Sequence, residues 1–487
     1  MDSVIGKSYI DGEWVDGEGA EVQNIDPGNK SVIGKFNLCT GEQILRAVDG
    51  ACEGFKVISK MPVRDRVEIL RKTAELVASR FDEISSTLSR EGGKLIGEAR
   101  YETSRCIQAL NIASEEAKRL YGEVIPMDSF SVPDLSDRFG FTRVEPLGVI
   151  AAITPFNFPL MMPTHKIAPA IAAGNSVVLK PSSDTPFTAA LIVKCLLDAG
   201  IPKKSISLVY SDGRTASGSL VSSKNVRMVV FTGSTETGKS IAHSAGKNAT
   251  RVALEMGGKN PLIVMDDADM DAAIAGTVRG GFTHAGQICI ATGRVLVHER
   301  IHDEFVRKIA KRVSARKVGY QMNSETEMGP LINEASLLNL RMYVEDARAS
   351  GLDIVTGGED AAVDGCDGYY YKPTIVVGVG PDDRIAVDEI FGPVLPIIRF
   401  KSIDEAIEIA NSIRYGLSSA VYTKSMAVAF RCIESLESGS VSVNETTLIR
   451  ADNAPFGGYK ESGIGREGLK YAIREMTETK MVYWKKA

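Results

Sequence analysis

Apolar residues recur at helical spacing, without proline, from residue 63 to 95, where Ile69, Leu70, Ala74, Leu76 and Val77 mark an inward face, so long helices are expected in the first quarter of the chain. From residue 149 the texture changes to short β-branched runs, at 149–153, 176–179, 206–209 and 226–231, separated by helical stretches. Runs at 261–265, 294–297 and 369–377 repeat the alternation around helices such as 301–315. Alternation of this kind predicts an α/β protein with two doubly wound parallel sheets. Two segments fall outside the pattern. Residues 122–144 are polar and interrupted, which suits a disordered loop or an extended arm, and 480–484 forms a strand pattern with no evident partner.

A chain of 487 residues exceeds what one hydrophobic core serves and implies two or three domains. With 44% hydrophobic and 24% charged residues it has the composition of a soluble globular protein. A net charge of -5, with basic and acidic residues interspersed, argues against a nucleic-acid partner. The most apolar segment, 149–162, is interrupted by Thr154, Asn157 and two prolines and is too short to cross a bilayer, so no membrane association is expected. Residues 1–7 show no basic region followed by an apolar run. The seven cysteines are scattered without paired spacing, which disfavours disulfides and a structural metal and fits a reducing cytoplasm.

Three segments carry candidate chemistry: Gly286-Gln287-Ile288-Cys289, Leu254-Glu255-Met256-Gly257-Gly258 and Thr154-Pro155-Phe156-Asn157-Phe158-Pro159. A sulfur nucleophile, a carboxylate base and an amide donor are the minimum set for covalent chemistry on a carbonyl. A rival motif is present. Gly233 to Ser240 satisfies the phosphate-loop pattern GxxxxGK[ST] between a predicted strand and a predicted helix, and 262–266 is an apolar strand ending in aspartate, as in an ATPase or GTPase. The same glycines and helix N-terminus would equally cradle the pyrophosphate of a dinucleotide.

Taken in order, the segments resemble the aldehyde dehydrogenase superfamily over nearly the whole chain: Tyr9-Ile10-Asp11-Gly12-Glu13-Trp14, Ile153 to Pro159, Leu179-Lys180-Pro181, Phe231-Thr232-Gly233-Ser234, Leu254 to Lys259, Gly286 to Cys289, Glu389-Ile390-Phe391-Gly392-Pro393 and Pro455-Phe456-Gly457-Gly458. The resemblance implies that Cys289 attacks an aldehyde, that Asn157 and the Cys289 backbone N–H hold the oxyanion, and that Glu255 activates water to hydrolyse a thioester. Members that pass the acyl group to coenzyme A lack that glutamate, so hydrolysis is expected. The resemblance also assigns cofactor contacts to Thr154, Phe156, Lys180, Ser182, Ser183, Gly213, Arg214, Gly233, Ser234, Gly257, Glu389 and Phe391. Ser183 stands where strictly NAD-dependent relatives tend to carry glutamate. NADP is therefore expected to be accepted and preferred, with NAD the alternative and Arg214 a candidate contact to the 2′-phosphate.

Further implications concern architecture and substrate. The resemblance implies a dinucleotide-binding domain of residues 1–119 and 141–255, a catalytic domain of 256–445, and an oligomerisation arm of 120–140 and 470–487 that makes a homodimer or homotetramer. Segments around 165–170, 450–453 and 465–468 are most similar to the lactaldehyde and glyceraldehyde branch, so a small polar aldehyde is expected. Ile288 departs from relatives with arginine before the nucleophile, which weakens a phosphorylated substrate. Arg105, His165 and Arg450 are candidate substrate contacts, with structural ion pairing the alternative, and a succinic semialdehyde-type activity stays open. A phosphate-loop hydrolase is the alternative from another class, and a purely structural role is disfavoured by the presence of Cys289, Glu255 and Asn157.

Overall fold

In the computed structural model, which describes residues 6–486, the β-branched runs pair as parallel strands. Ile206–Leu208, Ser176–Lys180, Val149–Ile153, Val226–Thr232 and Arg251–Glu255 lie side by side in that order. The hairpin Ser8–Ile10 and Glu13–Val15 extends one edge antiparallel, and Gly463–Ile464 closes the other. Val149–Ile153 is buried at every residue, as expected of a strand covered on both faces. Its side chains alternate between two cores. Val149, Ala151 and Ile153 pack with Ile44, Ala47 and Val48 of the helix Gly41–Ile58, while Ile150 and Ala152 join Ile167, Ala170 and Ile171 of Met161–Ala173.

A second sheet has the order Asp353–Thr356, Thr374–Val377, Val394–Phe400, Thr292–His298, Asn260–Val264, Ser418–Tyr422 and Ser440–Val443, parallel except for its first pair. It has its own core, in which Leu262, Val264, Leu296 and Val297 meet Phe305 and Ile309 of the helix His302–Ser314. Two α/β units with separate cores match the expected fold class.

The strand at the C-terminal end does find a partner. Thr477–Lys485 runs antiparallel to Arg138–Pro146 along its whole length, and Val124–Ile125 adds a third strand, so the polar segment is an extended arm rather than a disordered loop. Three expectations are corrected. The helical stretch 63–95 is two helices, Val63–Ser79 and Phe81–Gly92, because Arg80 leaves helical geometry at φ -108°. In 369–377 only Thr374–Val377 is a strand, beginning directly after Pro373, which has no N–H to give a ladder. The last strand starts at Thr477 rather than 470, since the helix Leu469–Glu475 buries Leu469 and Ile473 in the first unit's core, and its partner strand continues past 140 to Pro146. Among the described residues no helix is long and apolar enough to cross a membrane.

The two sheets meet by opposite ends. Thr154, Lys180, Gly233 and Glu255 sit at or just past the carboxyl ends of strands in the first sheet, whereas Lys259, Cys289 and Glu389 precede the amino ends of strands in the second. The crevice outside the carboxyl ends of parallel strands is where α/β sheets bind ligands.

Candidate active site

Cys289 follows a strained turn. His284, Ala285 and Gly286 are all left-handed, at φ 49°, 53° and 73°, a conformation that costs a residue with a Cβ about 1–2 kcal/mol. Gln287 holds the turn in place. Its side-chain amide donates to the His284 carbonyl at 3.1 Å and the Pro330 carbonyl at 3.3 Å, and its Oε1 accepts from the Ile332 N–H at 2.9 Å. Asn260 Nδ2 donates to the carbonyl of Cys289 at 2.8 Å and to that of Ala291 at 2.7 Å. The segment after Glu255 passes so close that a Cβ at Gly258 would lie 2.6 Å from the Cys289 carbonyl oxygen, so only glycine fits there.

Asn157 approaches from the other unit and donates one amide hydrogen to the Gln287 carbonyl at 2.9 Å, keeping its second hydrogen for another acceptor. Asn157 and Cys289 line one cavity of about 470 Å³, with Phe158, Met162, Ile288, Ile290, Leu448 and Phe456 giving it an apolar body. Cys289 is partly exposed there. Burial pushes its thiol up to about 12, with Arg450 pulling down and the carboxyls of Glu255, Glu389 and Glu467 adding to the rise. The sulfur, Glu255 and Glu467 therefore share one electrostatic neighbourhood.

The two carboxyls in that neighbourhood differ. Glu255 is buried, its Oε2 has no partner among the described residues, and burial followed by the charge of Glu467 raises it well above the usual carboxylate range. Burial acts on Glu467 in the same sense, but Lys166 and Arg450 outweigh it and hold Glu467 down to about 2. Lys166 Nζ lies 2.7 Å from Glu467 Oε1 and donates to Thr232 Oγ1 at 2.7 Å, while Arg450 Nη2 reaches Glu467 Oε2 at 3.0 Å.

The expected substrate contacts Arg105, His165 and Arg450 lie together beside this cluster, and Arg105 and Arg450 line the cavity with Ile288. All three are engaged with protein. Arg105 forms a two-pronged pair with Asp452, His165 Nε2 lies 3.1 Å from Asp452 Oδ1, and Arg450 Nη2 donates to His165 Nδ1 at 3.0 Å. With Nδ1 accepting, the His165 proton must sit on Nε2 and be donated to Asp452. The structural alternative thus accounts for each of these side chains, although Arg450 Nε remains buried without a partner among the described residues.

The cofactor candidates line up along the sheet ends. Lys180 stands at the end of its strand, where burial lowers its ammonium pKa and Asp212 and Asp184 oppose the shift. Ser182 Oγ donates to Asp184 at 3.2 Å, Ser183 is partly exposed, and Gly213 and Arg214 begin a short exposed helix capped by Asp212. Ser234 caps the helix Thr235–Gly246. That helix already contains Thr237, Gly238 and Lys239, so the phosphate-loop pattern lacks its loop, and Lys239 is turned to Glu461 at 2.8 Å. Glu389 accepts from the Gly258 N–H at 2.9 Å, and burial raises its carboxyl to about 7. A Cβ at Gly257 would collide with Glu389 Oε2, and the rings of Phe156 and Phe391 meet edge to face at 5.9 Å. Thr154 Oγ1 is buried without a partner among the described residues. Orphaned hydroxyl, glycines without side chains and a capped helix N-terminus together fit a dinucleotide.

The residues that sequence reasoning missed are Lys166, Thr232, Asn260, Asp452 and Glu467, with His284 on the cavity wall. Lys166 had a signal, being the one lysine in the helix Met161–Ala173, which is apolar but for Thr164 and His165 beside it, where a fully buried charge demands a partner. Asp452 and Glu467 had none, since Arg105, His165 and Lys166 lie hundreds of residues away and only Arg450, 17 residues before Glu467, is nearby.

The aldehyde dehydrogenase family model matches residues 14–482. The chain is 38% identical to succinate-semialdehyde dehydrogenase, mitochondrial, of Oryza sativa subsp. japonica, over 98% of this chain and 89% of that protein. It is 37% identical to lactaldehyde dehydrogenase of Methanocaldococcus jannaschii, over 97% of this chain and 99% of that protein. Among solved structures, betaine aldehyde dehydrogenase from Staphylococcus aureus in complex with NAD+ superimposes with a TM-score of 0.95 at 34% identity, covering 99% of this chain and 95% of that one.

Proposed function

Because the chain belongs to the aldehyde dehydrogenase family, we propose that it oxidises a small polar aldehyde of the glyceraldehyde or lactaldehyde kind to its carboxylic acid, with NADP accepted beside NAD and preferred. The observation that carries this reading is the bond from Asn157 to the Gln287 carbonyl, which brings the amide of one unit beside the nucleophile of the other. Once its S–H proton has passed to bulk water, the Cys289 thiolate bonds to the aldehyde carbon, and the second Asn157 amide hydrogen and the Cys289 N–H receive the oxyanion. The nicotinamide, when bound, supplies the acceptor for the hydride that leaves that carbon. Glu255 then takes a proton from water as its oxygen attacks the thioester, the carbon–sulfur bond breaks, and Cys289 is released. Thr154, Phe156, Lys180, Ser182, Ser183, Gly213, Arg214, Gly233, Ser234, Gly257, Glu389 and Phe391 would hold the dinucleotide. Replacing a carboxylate by Ser183 removes repulsion of a 2′-phosphate, and Arg214, exposed and without an ion-pair partner among the described residues, is free to meet it.

The same reading divides the chain into a cofactor domain, a catalytic domain and an arm. The arm exposes Phe130, Tyr483 and Trp484, an apolar surface that a second copy would cover in a dimer or a tetramer of dimers. Seven free cysteines suit a reducing cytoplasm. A dicarboxylic semialdehyde is the second reading, favoured by the three arginines, Arg105, Arg279 and Arg450, that line the cavity.

Turnover is followed by the absorbance of reduced nicotinamide, with glyceraldehyde, lactaldehyde and succinic semialdehyde and with each cofactor. The expected ranking by kcat/KM puts the hydroxyaldehydes and NADP first. Cys289→Ala abolishes turnover and Glu255→Gln stalls it after one equivalent of reduced cofactor, whereas turnover that survives Cys289→Ala overturns the mechanism. Since the Cys289 thiol and the Glu255 carboxyl are both raised, their proton-free forms populate only as pH rises, and kcat/KM should climb toward alkaline pH.

A further inference from the structure

His284 enters none of the steps above, yet it lines the same cavity as Cys289. The residue is 4% exposed, and neither Nδ1 nor Nε2 has a hydrogen-bond partner among the described residues. Glu98, on the helix Ile96–Ala117, lines the cavity beside it. One of its oxygens, Oε1, accepts the His284 backbone N–H at 3.3 Å, while Oε2 is buried and unpartnered. Three polar atoms on two residues that line the cavity thus lack the bonds that buried polar groups ordinarily make.

Resting on the proposed polar-aldehyde reading, we infer that His284 and Glu98 form a hydroxyl-recognising subsite that selects aldehydes carrying an alcohol group near the carbonyl. The chemistry of the three atoms selects the ligand. Burial first, and then the nearby Lys94 ammonium, keep the His284 ring neutral, so it offers one donor and one acceptor. Burial also raises the Glu98 carboxyl, against the pull of Lys94 and Arg316. A hydroxyl, which donates and accepts at once, satisfies such a pair. A carboxylate brings acceptors only and would face the Glu98 oxygens, while Arg105 and Arg450 are already committed to Asp452, His165 and Glu467 and the third arginine of the cavity, Arg279, is paired with Glu445 at 3.7 Å. An ammonium would meet Lys94, Arg105 and Arg316. A site whose buried polar groups await a substrate hydroxyl discriminates strongly against the analogue lacking it, because binding that analogue leaves them unpaired.

The test compares glyceraldehyde with propionaldehyde, which has the same carbon chain without hydroxyls, in the wild type, in His284→Phe and in Glu98→Gln. The Gln variant keeps an oxygen for the His284 N–H. The wild type should favour glyceraldehyde in kcat/KM by at least about tenfold, and His284→Phe should reduce that preference to about threefold or less while propionaldehyde turnover is retained. Glu98→Gln should give an intermediate preference, with the loss appearing in KM. A wild-type preference that survives unchanged in both variants overturns this inference and leaves the polar-aldehyde reading intact. Absence of any preference in the wild type overturns the reading itself. Should His284→Phe fold poorly, as judged by quenching on NADP binding, the Glu98→Gln preference decides: unchanged, it sinks the inference.

Discussion

Two regions border the same cavity and treat their polar groups differently. Where the residues around 450 meet the helix Met161–Ala173, Arg105, His165, Lys166, Arg450, Asp452 and Glu467 bond to one another in an almost closed set. At the left-handed turn before Cys289, by contrast, the His284 ring bonds to nothing among the described residues and Glu98 is half served. The first region has completed its chemistry within the fold and acts as a scaffold; the second leaves chemistry for a ligand. Burial alone does not separate them, since both lie out of solvent. The difference is whether a charge has its counter-charge, and Glu255 and Glu467 repeat the lesson: both are buried, but burial raises Glu255 whereas Lys166 and Arg450 hold Glu467 down.

The comparison is most exposed at Glu467. Glu467→Gln leaves Lys166, which is fully buried, and Arg450 without their counter-charge, and breaking a buried pair from one side costs about 3–5 kcal/mol. A large fall in the urea midpoint with an unchanged slope is expected; an unaltered midpoint would mean that this set holds nothing together. Acid probes the same charges. Glu467 and Asp452 have folded-state values below their ordinary ones, so the stability they confer is present above the ordinary carboxylate range and is lost as pH falls through it, toward about 2 for Glu467. Glu389 runs the other way. Its raised value stabilises the fold at low pH and that contribution is lost as pH rises through about 7.

A smaller effect is expected at the rim of the scaffold. Asp452→Asn keeps an oxygen for one bond but removes the charge that Arg105 and His165 share, for about 1.5–3 kcal/mol. Its sharper consequence is for Arg450, because His165 can then turn its ring and cease to accept from the guanidinium. KM for the aldehyde should rise more than kcat falls; a kcat loss with KM unchanged would place Asp452 in the chemistry instead.

Much of this was legible in the residues themselves. The β-branched runs located four of the five parallel strands of the first sheet but missed Val394–Phe400, Ser418–Tyr422 and Ser440–Val443 in the second, and it was the resemblance to a known family that put Cys289, Glu255 and Asn157 forward together. What the chain could not disclose is pairing across distance. Arg105, His165 and Arg450 looked like substrate contacts because each is polar near an expected cavity, and nothing local revealed that Asp452 and Glu467 would engage them. The boundary of the arm was missed for a related reason. Residues 469–475 are too short a helix to show where their apolar face packs, and only tertiary contact assigns Leu469 and Ile473 to the first core.

The smallest expected effect on stability lies on the other wall, and it is the one that separates the two regions cleanly. His284→Phe removes two buried nitrogens that make no bond, which by itself favours the folded state by about 1–3 kcal/mol, since no partner is orphaned and a desolvation cost disappears. Against this, φ of 49° suits histidine better than phenylalanine, and the larger ring crowds a packed turn, costs of about 1–2 kcal/mol. The two contributions oppose and leave the urea midpoint within about 1 kcal/mol of the wild type, while the preference for a hydroxylated aldehyde collapses. A fall as deep as that of Glu467→Gln would show that the imidazole is held by the fold after all, and the contrast between a finished wall and an unfinished one would go with it.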